Sequence, residues 1–259
     1  MTQPKIYYIN LDRSPDRRQF MNDQFHAFGL PAERIPAVDG EHIDLGSHPE
    51  SGLSPGEIGC FLSHRAAWKK LVESSDPNAI IFEDDAHLSP DLPRLLADMS
   101  WLPADAMIVK LDTNLVPVVL DPARHEVRPS RSLRRLRTAH MGASGYILSR
   151  DAANVLLEKS ERVQMVVDEL MFSGSALDRI TTYQMIPAPV LQQFFMKRQD
   201  VQFEPSLLVP EYKRAKLKRK RPPLHRTIVR EIGRAVRKFR YRTIPRLVYR
   251  GRFEVVPFD

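Results

Sequence analysis

The 259-residue chain lacks several features that mark particular classes of protein. Its single cysteine, Cys60, excludes an intramolecular disulfide and indicates a reducing compartment. No apolar run approaches the ~20 residues that a membrane-spanning helix needs. The N-terminal residues lead into a predicted strand without a signal-peptide pattern. With a hydrophobic content of 42%, the chain is predicted to be a globular protein with a buried core.

Acidic residues are scarce in one region of the sequence. Residues 211–252 contain 17 of the 39 lysines and arginines, with Glu211 and Glu231 as their only acids, whereas residues 1–210 contain 28 acids and 22 basic residues. A change of composition of this kind indicates a mildly acidic body joined to a strongly basic appendage. We therefore predict a folded domain over residues 1–210, followed by a basic linker and helical tail over residues 211–259.

The basic tail also carries apolar residues at helical spacing. These are Leu224, Ile228, Ile232, Val236 and Phe239. Because a basic amphipathic helix lies naturally in the headgroup region of an anionic membrane, residues 213–240 are predicted to bind such a surface. One alternative is a terminal helix that docks on the domain. A second is nucleic-acid binding, which we do not expect because it would leave the acidic body unexplained.

The remainder of the sequence alternates predicted strands with predicted helices. Strands are expected at residues 5–10, 35–38, 80–82, 107–111 and 182–186. Helices are expected to begin at Ser14, Ser54, Ser89, Ser149 and Asp168. This alternation is typical of an α/β fold with a mostly parallel sheet and helices on both faces. Residues 121–138, which are rich in arginine, are predicted to form an irregular loop.

Three consecutive acidic residues, Glu83, Asp84 and Asp85, follow the apolar strand at residues 80–82. In open α/β sheets, ligands bind beyond the carboxyl ends of the strands. Adjacent carboxylates at such a position need compensation from a cation or from hydrogen bonds. Hard divalent ions prefer oxygen ligands and bridge carboxylates to phosphates. The sequence therefore indicates a cation site, and a solvated acidic turn is the alternative.

A second polar group follows the first predicted strand. Asn10, Asp12 and Arg13 lie at its end, and Arg17 lies one turn into the next helix. Such a group at a sheet edge could hold a nucleotide, although a capped and salt-bridged helix start would use the same residues.

Cys60 and His64 lie four residues apart on one face of the helix that follows Ser54. This spacing suits a metal site or a nucleophile with its base, but the sequence offers no third or fourth ligand nearby. We therefore expect a packed cysteine beside a hydrogen-bonded histidine.

Taken in order, the motifs of residues 5–195 resemble those of glycosyltransferase family 25, the bacterial lipopolysaccharide and lipooligosaccharide glycosyltransferases. The matching segments are residues 9–13 (INLDR), 53–64 (LSPGEIGCFLSH), 81–85 (IFEDD), 142–149 (GASGYILS) and 167–168 (VD). The resemblance implies a GT-A-like fold, a UDP-sugar donor, Mn²⁺ or a similar divalent cation, and inversion at the anomeric carbon. It also implies a hexose, often galactose, and a lipid-linked glycan as acceptor.

The resemblance further implies roles for individual residues. Asp85 is the expected direct metal ligand with Asp84 beside it, and Glu83 completes the acidic donor motif. The sequence here is Glu-Asp-Asp where the family's motif is Asp-x-Asp. The turn at residues 10–13 is expected to meet the nucleotide.

A carboxylate must also accept the proton of the attacking hydroxyl. Asp168 is the predicted base, with Glu169 as the alternative because it stands where the family has an apolar residue. A lipid-linked acceptor implies a cytoplasmic enzyme held peripherally at the inner face of the bacterial inner membrane. The competing classes are a metal-dependent phosphohydrolase, for which no second cluster of His and Asp is found, and a nucleic-acid-binding protein.

Overall fold

The computed structural model describes residues 4–48, 51–196 and 251–259. Its strands are β1 (Lys5–Asn10), β2 (Ala32–Pro36), β3 (Asn78–Glu83), β4 (Ala86–Leu88), β5 (Ile108–Lys110), β6 (Asp112–Thr113), β7 (Val118–Leu120), β8 (His125–Arg128), β9 (Arg131–Arg135), β10 (Gly145–Ser149), β11 (Thr182–Ile186), β12 (Val190–Gln192) and β13 (Arg252–Glu254). Its α-helices are α1 (Pro15–Phe28), α2 (Pro55–Glu73), α3 (Leu92–Ala97), α4 (Arg150–Lys159), α5 (Val167–Phe172) and α6 (Gly174–Leu177).

A central sheet of eight strands has the order β2-β1-β3-β10-β5-β11-β9-β8. Its pairings make β9 and β10 antiparallel to their neighbours, so the other six strands all run in one direction. The predicted α/β fold with a mostly parallel sheet is thereby confirmed. Two small sheets, β4-β12-β6 and β13-β7, extend it.

Both faces of the central sheet are covered by helices, as predicted. Tyr7 and Ile81 point to the face that α2, α4 and α5 cover. Ile80 and Phe82 point to the opposite face, with residues of α1 and α3. Successive side chains of a strand alternate between faces, so burial on both sides explains why β3 is a continuous apolar run.

Side-chain caps mark the predicted starts of α2 and α4, whereas α3 begins at Leu92 and not at the predicted Ser89. Ser54 and Glu57 form both halves of a capping box at the start of α2, where Ser54 N donates to Glu57 Oε2 at 2.8 Å and Glu57 N donates to Ser54 Oγ at 3.3 Å. Gly29 ends α1 in the left-handed region at φ 62°, which glycine adopts without strain. The first helix and the strand at Thr182–Ile186 have the predicted bounds, whereas β2 begins three residues before the predicted strand.

The predicted loop at residues 121–138 is wrong, because these residues contribute β8 and β9 to the central sheet. Arg131 and Arg134 are each 2% exposed. Arg131 Nε contacts Asp91 Oδ2 at 2.9 Å, and Arg134 Nη1 contacts both carboxylate oxygens of Glu254 at 2.8 Å. Their charges are buried because distant acids and backbone carbonyls pair with them, which the local sequence does not reveal.

The last residues of the chain pack on the domain. Strand β13 pairs with β7, Val256 is buried, and Thr113 Oγ1 donates to Val256 O at 2.8 Å. The region predicted as a tail, residues 211–259, therefore ends on the globular body. The predicted amphipathic helix and the membrane-binding residues 213–240 lie outside the described residues.

Candidate active site

A cleft of about 520 Å³ opens where the neighbouring parallel strands β1 and β3 end. Strand β1 brings Asn10 to this edge, and β3 brings Glu83, Asp84 and Asp85. Further walls come from the first turns of α2, from the residues that follow β2, and from the end of β12. The two polar groups singled out in the sequence thus meet in one cleft.

Asp84 is committed to contacts within the protein. Asn10 Nδ2 donates to its Oδ2 at 2.7 Å, and Arg17 Nη1 donates to its Oδ1 at 2.9 Å. Burial raises the pKa of Asp84, while Arg17 and Asn10 oppose that rise. Asp84 therefore joins the ends of β1 and β3 to the first turn of α1.

Asp85 is the carboxylate with an unused oxygen. Gln192 Nε2 donates to its Oδ2 at 3.2 Å, and its buried Oδ1 meets no hydrogen-bond donor among the described residues. Burial, and then the charge of Glu83, raise the pKa of Asp85 to about 7. A buried unpaired oxygen of this kind requires an explanation, such as an ion.

Gln192 links the two outer carboxylates. The same Nε2 that contacts Asp85 also donates to Glu83 Oε2 at 3.2 Å, and Gln193 N donates to Asp85 O at 3.0 Å. The cleft therefore holds the carboxylates of Glu83 and Asp85, which share one amide donor. The unpaired buried oxygen is Oδ1 of Asp85. This all-oxygen donor set fits a hard divalent cation such as Mn²⁺ or Mg²⁺.

A hydrogen-bonded row of buried side chains supports Glu83. Trp68 Nε1 donates to Tyr146 OH at 2.9 Å, Tyr146 OH contacts His64 Nδ1 at 2.8 Å, and His64 Nε2 contacts Glu83 Oε1 at 3.1 Å. Because an indole N–H can only donate, the Tyr146 oxygen accepts from Trp68. The phenol hydrogen of Tyr146 is then directed at His64 Nδ1. The network thus assigns the Nε2–H tautomer to His64, which donates to Glu83.

The predicted hydrogen-bonded histidine is confirmed. The prediction that no third ligand lies near Cys60 and His64 is wrong, because the ligand atoms of Cys60, His64 and Glu83 all lie within 4.8 Å of one another. Glu83 is distant in sequence, and the packing of α2 against β3 brings it to the pair.

The predicted base, Asp168, lies in the first turn of α5 as expected. Gly142 N donates to its Oδ2 and Glu169 N to its Oδ1, both at 2.9 Å. A Cβ atom placed on Gly142 would lie 3.9 Å from Gln192 Oε1, so the Gly142 segment lies near the amide that joins Glu83 and Asp85. Asp168 itself is not among the residues that line the cleft. Glu169 is exposed, whereas Asp168 is half-buried.

A buried ion pair holds the Gly142 segment in place. Lys110 Nζ contacts Asp112 Oδ1 at 2.7 Å and donates to Gly142 O at 2.5 Å, and Ser144 Oγ donates to Asp112 Oδ2 at 3.1 Å. Gly142 itself has φ 81°, a conformation that favours glycine. Sequence analysis missed Lys110 and Asp112, although a Lys in an apolar strand followed by an Asp was a usable signal.

The predicted nucleotide-binding residues divide into two groups. Asn10, Arg13 and Arg17 line the cleft together with Glu83 and Asp84. Arg13 is half-exposed and pairs with Asp39 at 2.6 Å. Asp12 is highly exposed and pairs with Arg34, and it is not among the residues that line the cleft.

In an α/β sheet, a cleft at the carboxyl ends of the strands is the usual position of a ligand-binding site, and this chain is of the class of α/β proteins with acids in that cleft. Comparison with known proteins makes the assignment specific. Residues 3–171 match the sequence model of glycosyltransferase family 25 (LPS biosynthesis protein). The chain belongs to this family and is therefore a glycosyltransferase, which confirms the resemblance found in the sequence.

Individual relatives agree with this assignment. The lacto-N-neotetraose biosynthesis glycosyltransferase LgtE of Neisseria gonorrhoeae is 30% identical over 209 residues, which cover 72% of this chain and 73% of the relative. The lipooligosaccharide biosynthesis protein lex-1 of Haemophilus influenzae is 30% identical over 220 residues, which cover 80% of this chain and 72% of the relative. The solved inositol-1-phosphate CTP transferase of T. maritima covers 74% of this chain and 71% of its own, at 8% identity and a TM-score of 0.38. That similarity is too low to carry an argument.

Proposed function

We propose that this enzyme transfers a hexose, with galactose as the candidate sugar, from a UDP-sugar to a lipid-linked glycan of lipooligosaccharide or lipopolysaccharide type, with inversion at the anomeric carbon. Membership of family 25 supports the reaction class. The names of its relatives, which refer to lacto-N-neotetraose and lipooligosaccharide biosynthesis, support the acceptor. The observation that carries the proposal is the buried, unpaired Oδ1 of Asp85 in a cleft lined by acids at the strand ends.

Asp85 would hold a Mn²⁺ or Mg²⁺ ion in the cleft that Glu83 and Asp84 also line. When bound, such an ion neutralises the charge that develops on a departing nucleoside diphosphate. Asp84 contributes mainly by fixing the geometry, because both of its oxygens already accept hydrogen bonds. In this proposal Asn10, Arg13 and Arg17 face the nucleotide. Asp12 contributes indirectly, through its ion pair with Arg34.

The acceptor hydroxyl needs a group that accepts its proton as it attacks. Asp168 fits this role, because two backbone N–H groups hold its carboxylate in one orientation and one of them belongs to Gly142, which lies near Gln192. Glu169, its neighbour, is the alternative base.

The experiment that tests the reaction is a UDP-release assay with a panel of UDP-hexoses and UDP-N-acetylhexosamines. We expect release from one UDP-hexose in the presence of Mn²⁺ and none with excess chelator. Cation-dependent hydrolysis of simple phosphate esters without turnover of any UDP-sugar would instead favour the phosphohydrolase alternative.

We also propose that residues 213–240 attach the enzyme to an anionic membrane, at the inner face of the inner membrane. The support is the charge and apolar spacing of that segment, together with an acceptor that is itself anchored in lipid. Among the described residues, no helix has the length and apolarity needed to span a bilayer.

A further inference from the structure

Three side chains of unlike chemistry converge on one wall of the cleft. Cys60 and His64 lie one turn apart on α2, and Glu83 lies at the end of β3. The Cys60 sulfur, a ring nitrogen of His64 and a carboxylate oxygen of Glu83 all lie within 4.8 Å of one another. The proposed transfer reaction assigns no role to Cys60.

This donor set differs from the all-oxygen set around Asp85. A thiolate, an imidazole and a carboxylate are the ligands that Zn²⁺ takes, and three protein ligands with one open position is a common zinc geometry. We propose that Cys60, His64 and Glu83 form a second metal site, selective for Zn²⁺, whose occupation inhibits the enzyme.

The existing distance between His64 and Glu83 suits zinc, and the Cys60 sulfur, which lies within 4.8 Å of both ligand atoms, would move closer to complete the site. A tetrahedral site with metal bonds near 2.0–2.2 Å places its nitrogen and oxygen ligands about 3.4 Å apart, and His64 Nε2 lies 3.1 Å from Glu83 Oε1. Tyr146 supports the outer nitrogen of His64 at 2.8 Å. Such an outer hydrogen bond fixes the orientation of an imidazole that binds a metal.

The proton balance of zinc binding is simple. The Nε2 proton of His64 leaves that nitrogen and the ring takes the Nδ1–H tautomer. Nδ1–H then donates to the Tyr146 oxygen, and the Tyr146 hydroxyl hydrogen turns away from the ring. The thiol of Cys60 loses its proton to solvent, because a coordinating thiol is deprotonated. Burial and nearby carboxylates raise the pKa of this thiol well above its usual value, so without metal it stays protonated. One proton is therefore released for each zinc bound.

Inhibition follows because Glu83 belongs to both sites. Zinc on Glu83 Oε1 would add positive charge next to Oε2, which shares the Gln192 amide with Asp85, and this charge would oppose a second cation in the same cleft. The inhibition rests on the proposed function, whereas zinc binding itself does not.

The site is tested directly with Co²⁺ as a spectroscopic substitute for Zn²⁺ on the full chain. We expect the near-ultraviolet charge-transfer absorption of a thiolate bound to cobalt, saturating at one ion per chain and abolished by Zn²⁺. Cys60→Ser should lose this absorption. Asp85→Asn should keep it, because Asp85 is not a ligand of this site. Absence of the absorption in the wild-type chain would overturn the proposal, whatever the variants do.

The consequence is tested with Zn²⁺ added to the Mn²⁺-supported transfer assay. Measured against its own zinc-free activity, Cys60→Ser should need at least about tenfold more Zn²⁺ for half inhibition, because it lacks the thiolate. Equal inhibition of both chains would overturn the inhibitory role. A chain that shows the cobalt absorption but turns over no UDP-sugar would refute the proposed function and leave the zinc site standing.

Discussion

At the scale of single residues, the three consecutive acids have different environments. Asp84 accepts hydrogen bonds from Arg17 and Asn10, and Glu83 accepts them from His64 and Gln192. Asp85 receives one amide hydrogen bond and leaves a buried oxygen unpaired. Since burial of an uncompensated charge costs free energy, Asp85 is the acid of the three that a bound cation would stabilise most.

The raised pKa of Asp85 predicts how its removal changes stability. In chelator the folded chain holds the Asp85 proton up to pH about 7, whereas the unfolded chain releases it near pH ~4. Wild-type stability therefore falls as pH rises through this interval, and Asp85→Asn abolishes that loss. We expect Asp85→Asn to raise the Tm more at pH 8 than at pH 5 in thermal melts. The exposed Asp178→Asn is the control, and an equal shift at both pH values would contradict the account.

The two candidate bases can be separated by substitution. Asp168→Asn keeps the shape and removes the proton acceptor, so kcat should fall by about 10²–10⁴-fold while the affinity for the donor changes little. Glu169→Gln is the matched control next to it and should stay near wild type, because Glu169 is exposed. Steady-state kinetics with a soluble acceptor measure both. The reverse pattern would assign the base to Glu169.

At the scale of elements, local rules located some segments well and others poorly. The capping box of α2, the terminal glycine of α1 and the bounds of β11 follow from short-range chemistry. Strands β8 and β9 do not follow from short-range chemistry. Their buried arginines need acidic or carbonyl partners, and these partners are distant in sequence. Arg134 pairs with Glu254, 120 residues away, and such a contact has no local signature.

The pair formed by Arg134 and Glu254 should stabilise the junction of β9 with the C-terminal strand. Removing the carboxylate leaves a buried guanidinium without its countercharge. We expect Glu254→Ala to lower the free energy of unfolding by about 2 kcal/mol, measured by urea denaturation. Glu126→Ala, an exposed acid on β8, is the control and should change it by less than about 0.5 kcal/mol. Equal effects would show that the pair contributes nothing specific.

At the scale of the whole molecule, the described residues on either side of the basic segment, Met196 and Gly251, both belong to the domain. A Cβ atom on Gly251 would lie 2.9 Å from Leu120 O, so Gly251 is tightly packed on β7. Residues 251–259 are therefore part of the domain. A truncation that removed residues 251–259 would also remove β13 and the partner of Arg134.

Membrane attachment is therefore tested by replacement and not by truncation. Residues 213–250 are exchanged for a Gly/Ser segment of equal length, with residues 251–259 retained. We expect the replaced chain to leave vesicles of phosphatidylglycerol and phosphatidylcholine in a flotation assay, and to keep its activity on a soluble acceptor. Because each basic residue near an anionic surface contributes about 1 kcal/mol, wild-type binding should weaken as salt is raised. Retention of the replaced chain on the vesicles would contradict membrane binding by this segment.

The candidate site likewise contains some residues that the local sequence could identify and others that only tertiary contacts reveal. The carboxylates and the N-terminal turn were recognisable because they follow predicted strands at one edge of the sheet. Gln192 was not, because an amide near the end of the domain carries no motif, and its role exists only through contact with Glu83 and Asp85. The meeting of Glu83 with Cys60 and His64 likewise depends on how α2 packs on β3.

The most direct test of this account is equilibrium Mn²⁺ binding, measured from the paramagnetic resonance signal of the free ion with and without UDP. The account predicts that the wild-type chain binds one Mn²⁺ in the cleft and binds it more tightly when UDP is present. Asp85→Asn should lose this binding and remain folded, with Asp178→Asn behaving as wild type. Undiminished, UDP-enhanced Mn²⁺ binding by Asp85→Asn would contradict the placement of the cation at Asp85.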